Sequence, residues 1–257
     1  MPAISGSKYL VMAGWDHCPH LDERTKAELF ASTPEHLRKA RSQGIPSMGS
    51  GAVFPVDEES LKERAFSIPP HWPRICGWDF GWDHPSAGAW MAWDRDIDVV
   101  HVYDAYRVSQ ASVALHAAAI RAKGLWIPVA WPHDGLQHDK GSGVQLAEQY
   151  RQQGVSMLKD RATFPDGSNG VEAGIMDMLD RMQTGRLMVA AHLHDWWEEF
   201  RLYHRENGVL VKKGDDLMSA TRYGIMMLRK AAINSRVAAI KSPVGYTPFD
   251  SGMGALG

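Results

Sequence analysis

The sequence predicts a mixed α/β domain, in which one β-sheet carries antiparallel and parallel strands and has helices on both faces. Three strand-like segments follow one another with short polar connections, which is typical of an antiparallel meander. The apolar segments after them alternate with helices, as they do when strands join a sheet in parallel. A chain of 257 residues with 44% hydrophobic and 23% charged residues is globular and long enough for a substantial core.

The first strands of the sheet are predicted within residues 75–108. Segments 75–80, 87–93 and 98–108 are apolar and strand-like, and residues 94–96 form the polar turn between the second and the third. Connections this short join antiparallel neighbours. We expect the first of these strands to be central, with the first parallel strand lying beside it.

The later elements alternate between helices and strands. Further strands are predicted at 127–131, 155–158, 187–190 and 209–212, and helices at 112–123, 144–153, 169–184, 196–204 and 215–232. The helix at 169–184 has the clearest pattern, because Asn169 and Glu172 form a capping-box motif and Gly185 follows the last turn.

The chain is expected to have three parts. Residues 1–50 form an N-terminal segment that leads into a Ser/Gly-rich connector, and residues 51–235 form the α/β domain. Residues 236–257 are expected to be a flexible tail, because they are rich in glycine and proline.

Composition excludes several classes of protein. The two cysteines, Cys18 and Cys76, are too few for a disulfide framework or a four-thiolate zinc site, which favours a reducing compartment. We expect neither a membrane span nor a secretory signal, because no apolar run reaches about 18 residues and no basic start precedes an apolar stretch. A net charge of −2 argues against a protein that coats a polyanion, as a histone does, but it allows a nucleic-acid enzyme with one basic face.

Four aspartates stand at the ends of predicted elements. Asp79 follows the first strand, Asp134 follows the strand at 127–131, and Asp215 and Asp216 begin the last helix. The strands at 75–80 and 127–131 are expected to be neighbours, so the carboxylates of Asp79 and Asp134 should lie close together. A helix packed across that edge of the sheet could add a third carboxylate. Clustered carboxylates need a compensating cation, and Mg²⁺ and Mn²⁺ prefer such oxygen ligands.

Each of these aspartates also has a purely structural interpretation. Asp215 and Asp216 could be an N-cap and a first-turn acid favoured by the helix dipole. Asp79, before Phe80 and Gly81, could be a turn residue, and Asp134 before Gly135 is a common turn dipeptide. Taken singly, none of the four decides between the two interpretations.

Three longer motifs surround these aspartates. They are GWDFGWDHPSA at 77–87, WPHDG at 131–135 and GDDLMSATRYG at 214–224. In order, spacing and type of element, they resemble the three nuclease motifs of tailed-bacteriophage terminase large subunits. The resemblance extends from about residue 50 to about residue 232.

The resemblance implies a ribonuclease H-like fold and a divalent-metal-dependent endonuclease that cuts concatemeric viral DNA during packaging by two-metal phosphodiester hydrolysis. Asp79 and Asp134 would be ligands of Mg²⁺ or Mn²⁺, Asp216 the third ligand, and Asp215 a co-ligand or an orienting group. The implied partners are double-stranded DNA, the terminase ATPase module, the small terminase subunit and the portal. The implied location is the cytoplasm of a bacterial host.

The N-terminal segment resembles the end of the packaging ATPase module, on the residues WDHCPHL at 15–21. The chain has no Gly-x-x-x-x-Gly-Lys-Ser/Thr phosphate loop, so we do not expect it to hydrolyse ATP. We expect a nuclease fragment or the product of a truncated prophage gene.

Basic and aromatic residues near the motifs suggest how DNA could be held. Lys140, Lys212, Lys213 and Arg222 are candidate phosphate contacts, which carry affinity rather than base specificity. Five of the 10 tryptophans lie in or near the first two acidic motifs, where we expect them to pack around the site: Trp78, Trp82, Trp90, Trp93 and Trp131. Base stacking by one of them is the alternative.

Two other functions stay open from the sequence. The domain could be a non-catalytic DNA-gripping or motor-docking module with a vestigial acidic cluster, which would bind its partner without divalent metal. It could also be another ribonuclease H-like nuclease of the resolvase or integrase type, which would prefer branched DNA.

Overall fold

The computed structural model describes residues 3–5, 8–9, 13–33, 38–44, 51–136 and 144–234, so Lys140 and the tail at 236–257 lie outside the described residues. The strands are β1 Ala3–Ser5, β2 Lys8–Tyr9, β3 Lys62–Glu63, β4 Arg74–Asp79, β5 Ser86–Asp94, β6 Val99–Val108, β7 Val129–Ala130, β8 Leu187–Ala190, β9 Arg205–Glu206 and β10 Val209–Leu210. The helices are α1 Glu23–Ser32, α2 Arg38–Gln43, α3 Glu58–Leu61, α4 Val113–Lys123, α5 Leu146–Gln152, α6 Val171–Gln183, α7 His194–Leu202 and α8 Asp216–Met226.

A six-stranded mixed sheet in the order β3-β8-β6-β5-β4-β7 forms the centre of the domain. β4, β5 and β6 make an antiparallel meander, while β7 runs parallel to β4, and β8 runs parallel to β6. The predicted fold class is therefore confirmed, including the placement of β7 beside β4. The prediction that β4 is central is wrong, because β4 lies second from the edge and β5 and β6 occupy the middle of the sheet. Because β4, β6, β7 and β8 share one direction, their C-terminal ends meet at the same edge of the sheet.

The turn of the meander forms because its aspartates satisfy the backbone locally. Asp94 Oδ1 accepts the Asp96 N–H at 3.0 Å, and Asp98 adopts a φ of 53°, which aspartate tolerates better than most residues. Asp98 also accepts the indole N–H of Trp93 at 2.9 Å. The Asp-rich turn therefore sets where β5 ends and β6 begins.

Both faces of the sheet are covered by helices. One apolar cluster lies between the sheet and α6, α7 and α8, and a second lies between the sheet and α4 and α5. Trp78, Trp90 and Trp131 are at most 2% exposed in the second cluster, which agrees with the packing role expected for tryptophans near the motifs.

Helix α8 lies unusually close to the middle of the sheet. A Cβ atom at Gly77 of β4 would stand 1.8 Å from the carbonyl oxygen of Ala220, and one at Gly224 would stand 3.2 Å from the backbone nitrogen of Gly77. Glycine at both positions therefore lets the helix backbone approach the strand, which brings the start of α8 to the end of β4.

Several element boundaries differ from the predictions. Helix α6 begins at Val171, after Gly170, which offers no side-chain cap, so the capping box predicted from Asn169 and Glu172 is wrong. Glu172 instead forms an ion pair with Arg205, accepting a hydrogen bond from Nη1 at 2.9 Å. The predicted strand at 155–158 is reduced to one parallel bridge between Val129 and Met157.

None of the helices in the described ranges combines the length and the apolar character that a membrane span needs.

Candidate active site

A cleft of about 500 Å³ opens at the C-terminal ends of β4 and β7, beside the start of α8. We call it the acidic cleft, because all four aspartates singled out by the sequence line it: Asp79, Asp134, Asp215 and Asp216. The structure therefore brings together side chains that lie up to 137 positions apart in the chain, from 79 to 216.

The strand ends fix the first two carboxylates. Asp79 is the last residue of β4, paired with Ala87 of β5. Asp134 lies in a short 3₁₀ turn over His133–Leu136 that follows β7. A Cβ atom at Gly135 would stand 2.4 Å from the Trp131 ring and 2.9 Å from the Phe80 ring, so only glycine lets this turn pack against both aromatic side chains.

The start of α8 supplies the other two carboxylates. Asp215 stands at the N-cap position, yet its side chain makes no capping hydrogen bond. The backbone N–H of Leu217 is instead bound by Glu199 Oε2 of α7 at 2.6 Å. A side chain of α7 therefore caps the start of α8, while Asp215 itself lines the acidic cleft.

The carboxylates of the cleft repel one another. Burial and the neighbouring charge of Asp216 raise the pKa of Asp79 to about 8. Burial and Asp216 also raise the pKa of Asp215. Carboxyls that resist ionisation in this way mark a place where a cation would be strongly held, since a cation favours the charged form.

His84 interacts directly with this cluster. Its Nδ1 lies 2.9 Å from Asp216 Oδ1, and Asp216 is only 6% exposed. Burial opposes the charged ring, but the hydrogen bond to Asp216 and the charges of the two aspartates outweigh it, so the pKa of His84 is raised. The imidazole therefore holds one carboxylate oxygen of Asp216 at the lining of the acidic cleft.

The donor set suits a hard divalent ion. The four aspartates supply only carboxylate oxygens, which are the ligands that Mg²⁺ and Mn²⁺ prefer. Zinc is bound more often by thiolate and imidazole groups. Among the described residues, no three Asp, Glu, His or Cys side chains converge closely enough to enclose one ion. Mg²⁺ usually retains several water ligands and needs only one or two carboxylates, so the arrangement fits an open, partly hydrated ion.

Glu199 and Arg107 belong to the site although the sequence did not single them out. Glu199 is 1% exposed, and burial is the main reason that its pKa is raised to about 7. Arg107, which lines the acidic cleft at the end of β6, donates to Glu199 Oε1 at 3.1 Å. The sequence feature that could have identified Glu199 is its position between Trp196 and Phe200, on the apolar face of an amphipathic helix.

The candidate DNA contacts lie in different surroundings. Lys212 and Lys213 are exposed at the rim of the acidic cleft. Arg222 is only 5% exposed, and its guanidinium lies 4.5 Å from the centre of the Tyr223 ring. Arg222 therefore lies in the wall of the acidic cleft rather than on an open surface, and its role as a phosphate contact stays a prediction.

Known proteins resemble this chain over most of its length. A family model described as the terminase RNaseH-like domain matches residues 76–228. The chain is 48% identical over 213 residues to the terminase large subunit of Salmonella phage P22, which covers 82% of this chain and 43% of that protein. It is 48% identical over 209 residues to the terminase large subunit of Enterobacteria phage LP7, covering 81% of this chain and 44% of that protein.

Solved structures agree with these sequence relationships. The nuclease domain of the P22 large terminase superposes with a TM-score of 0.69 at 46% identity, covering 74% of this chain and 99% of that domain. The large terminase of a thermophilic bacteriophage shares the fold at 13% identity, with a TM-score of 0.55, covering 84% of this chain and 54% of that one. The chain spans less than half the length of the curated relatives it matches.

Proposed function

This chain belongs to the terminase RNaseH-like domain family, and we propose that it is a divalent-metal-dependent endonuclease that cuts concatemeric viral DNA during genome packaging. The observation that carries the proposal is the acidic cleft, where four carboxylates meet and the pKa of Asp79 is raised to about 8. The relationship to the P22 nuclease domain supports the same activity.

The four aspartates of the acidic cleft would bind the metal ions or orient the groups that bind them. Asp79, Asp134 and Asp216 would hold Mg²⁺ or Mn²⁺, with Asp215 as a co-ligand or an orienting group. When bound as a pair, such ions activate the attacking water and stabilise the leaving 3′ oxygen.

Residues around the carboxylates keep them in place. His84 holds one oxygen of Asp216, and Glu199 caps α8 at the Leu217 N–H. Lys212 and Lys213 at the rim would contact backbone phosphates, which carries affinity without base specificity.

The remaining assignments extend the proposal to the whole assembly. Residues 1–50 would be the end of the packaging ATPase module and its linker, residues 51–235 the nuclease domain, and residues 236–257 a tail. The partners would be double-stranded DNA, the terminase ATPase module, the small terminase subunit and the portal, in the cytoplasm of a bacterial host.

The decisive experiment is Mn²⁺-dependent nicking of supercoiled plasmid by Asp79→Asn and Asp134→Asn. Each variant should lose at least about 100-fold in rate, the scale of a lost charge-stabilising group. Asp83→Asn is the matched control, because it removes an exposed carboxylate from the loop after Asp79 and should cut normally. Full activity in either test variant, with the fold intact by circular dichroism, would exclude the proposal.

A further inference from the structure

We infer that a second cavity next to the acidic cleft binds one unstacked nucleobase of the DNA strand being cut, an inference that rests on the proposed nuclease function. We call it the base cavity. It has a volume of about 440 Å³ and includes Trp82, His116, Gln149 and Tyr150 in its lining. Phe80, His84 and Asp134 line both the base cavity and the acidic cleft. A nucleotide with its phosphate in the cleft can therefore place its base in the adjoining cavity.

Trp82 provides the aromatic surface. It is 60% exposed, whereas Trp78, Trp90 and Trp131 are at most 2% exposed. Leaving a large apolar ring in water is unfavourable, and the motif tryptophans otherwise pack in the core. An exposed indole beside a DNA-cutting cleft is suited to stacking on a base, because every base presents an aromatic face.

The backbone that carries Trp82 is firmly held. The Ser86 hydroxyl donates to the carbonyl oxygen of Gly81 at 2.9 Å and accepts the Gly81 N–H at 3.1 Å. The backbone N–H of Gln110 donates to the carbonyl oxygen of Trp82 at 3.1 Å. Since the loop is already ordered, little backbone entropy would be lost when a base stacks on the ring.

The other walls favour a neutral heterocycle over a phosphate. None of the described residues that line the base cavity is a lysine or an arginine, and Asp134 places a carboxylate at its border. Burial lowers the pKa of His116, which keeps its ring neutral. The Tyr150 ring is 2% exposed and packs edge-on to Phe80, with 5.4 Å between the ring centres. A flat neutral base matches these surfaces, while the backbone phosphates match the rim lysines of the acidic cleft.

The test compares two single-stranded probes, an oligothymidylate and an abasic phosphodiester chain of the same length. Binding is measured by fluorescence anisotropy with Mg²⁺, on an Asp79→Asn background that prevents cutting. We expect the oligothymidylate to bind about 5- to 150-fold more tightly than the abasic chain, the range that stacking of one base provides. Trp82→Ala should erase this preference, and Trp82→Phe should retain most of it.

Two controls separate a stacking role from a general defect. Ile97→Ala removes a 65% exposed side chain from the β5–β6 turn, at the opposite edge of the sheet, and should leave the preference unchanged. Thermal unfolding should be the same for Trp82→Ala and the parent, because the ring is mostly exposed.

Two results would overturn the inference. Trp82→Ala could bind both probes as the parent does, or it could bind both of them equally weakly. If the Asp79→Asn protein still cleaves the oligothymidylate, the proposed metal-dependent mechanism is wrong. Cleavage is detected from the probe length, so this result is distinguishable from a loss of the base preference.

Discussion

Replacing Asp79 with asparagine should stabilise the metal-free protein while abolishing its activity. Asparagine has the shape of a protonated aspartate and carries no charge, so it removes both the cost of burying a charge and the repulsion between Asp79 and Asp216. The asparagine side chain is neutral at every pH. In the wild-type protein, Asp79 is neutral only when its carboxyl group is protonated. Residues selected for a metal site at the expense of the fold are expected to behave in this way.

The size of the effect follows from the two pKa values of Asp79. The pKa is 3.8 for an ordinary aspartate and about 8 in the folded protein. Below pH 3.8 the carboxyl is protonated in both states, and the folded protein incurs no penalty. Between these values the unfolded chain loses the proton and the folded chain retains it, so the wild-type protein loses stability as the pH rises. At pH 7 the difference of 7 − 3.8, about 3 pKa units, corresponds to at most about 4 kcal/mol.

Urea unfolding in EDTA at pH 5, 7 and 8 measures this difference. The advantage of Asp79→Asn over the wild type should grow from pH 5 to pH 8 and level off above it. Saturating Mg²⁺ should reverse the order, because the ion stabilises only the protein that binds it. Asp83→Asn, which leaves Asp79 unchanged, is the control variant for the same measurements. A lower stability of Asp79→Asn than of the wild type at pH 7 without metal would contradict this prediction, as would a difference in stability that did not change with pH.

Three further predictions follow from the surroundings of the cleft. Glu199→Ala should lower the free energy of unfolding by about 3 kcal/mol, because it leaves the Leu217 N–H and Arg107 without their buried acceptor. Glu199→Gln should lower it by less. Equal melting temperatures for the two variants would contradict the capping role of Glu199. Gly77→Ala should cost about 3 kcal/mol or more, because its Cβ would stand 1.8 Å from the Ala220 carbonyl oxygen; a normal urea midpoint would disprove the close approach of α8. Lys212→Ala and Lys213→Ala should each weaken DNA binding and reduce the slope of log affinity against log salt by about 1, whereas Lys159→Ala, an exposed lysine elsewhere, should leave the slope unchanged.

The overall fold could be predicted because local patterns determine most of it. The turn at Asp94–Asp98 and the apolar strands around it specify the meander, and the helices that follow require the next strands to join in parallel. The two-residue strand β3 could not be predicted, since Lys62 and Glu63 pair with β8 more than 120 positions later. The capping box at Asn169 failed because Glu172 found a stronger tertiary partner in Arg205.

The acidic residues of the site could be predicted, but their supporting contacts could not. Carboxylates at strand ends are visible in the sequence, and the strand order implies that they meet. The capping of α8 by Glu199 depends on how α7 packs, which no local pattern specifies. Burial likewise distinguishes Arg222, in the wall of the cleft, from the exposed Lys212, although both are basic residues near the same motif.

A crystal of the protein soaked in Mn²⁺ and measured at the manganese absorption edge tests the central claim most directly. We expect anomalous peaks in the acidic cleft, within coordinating distance of Asp79, Asp134 and Asp216. The same soak of Asp79→Asn should show these peaks weakened or absent. Strong manganese peaks elsewhere, with none in the cleft of the wild-type protein, would contradict the assignment of these carboxylates as metal ligands.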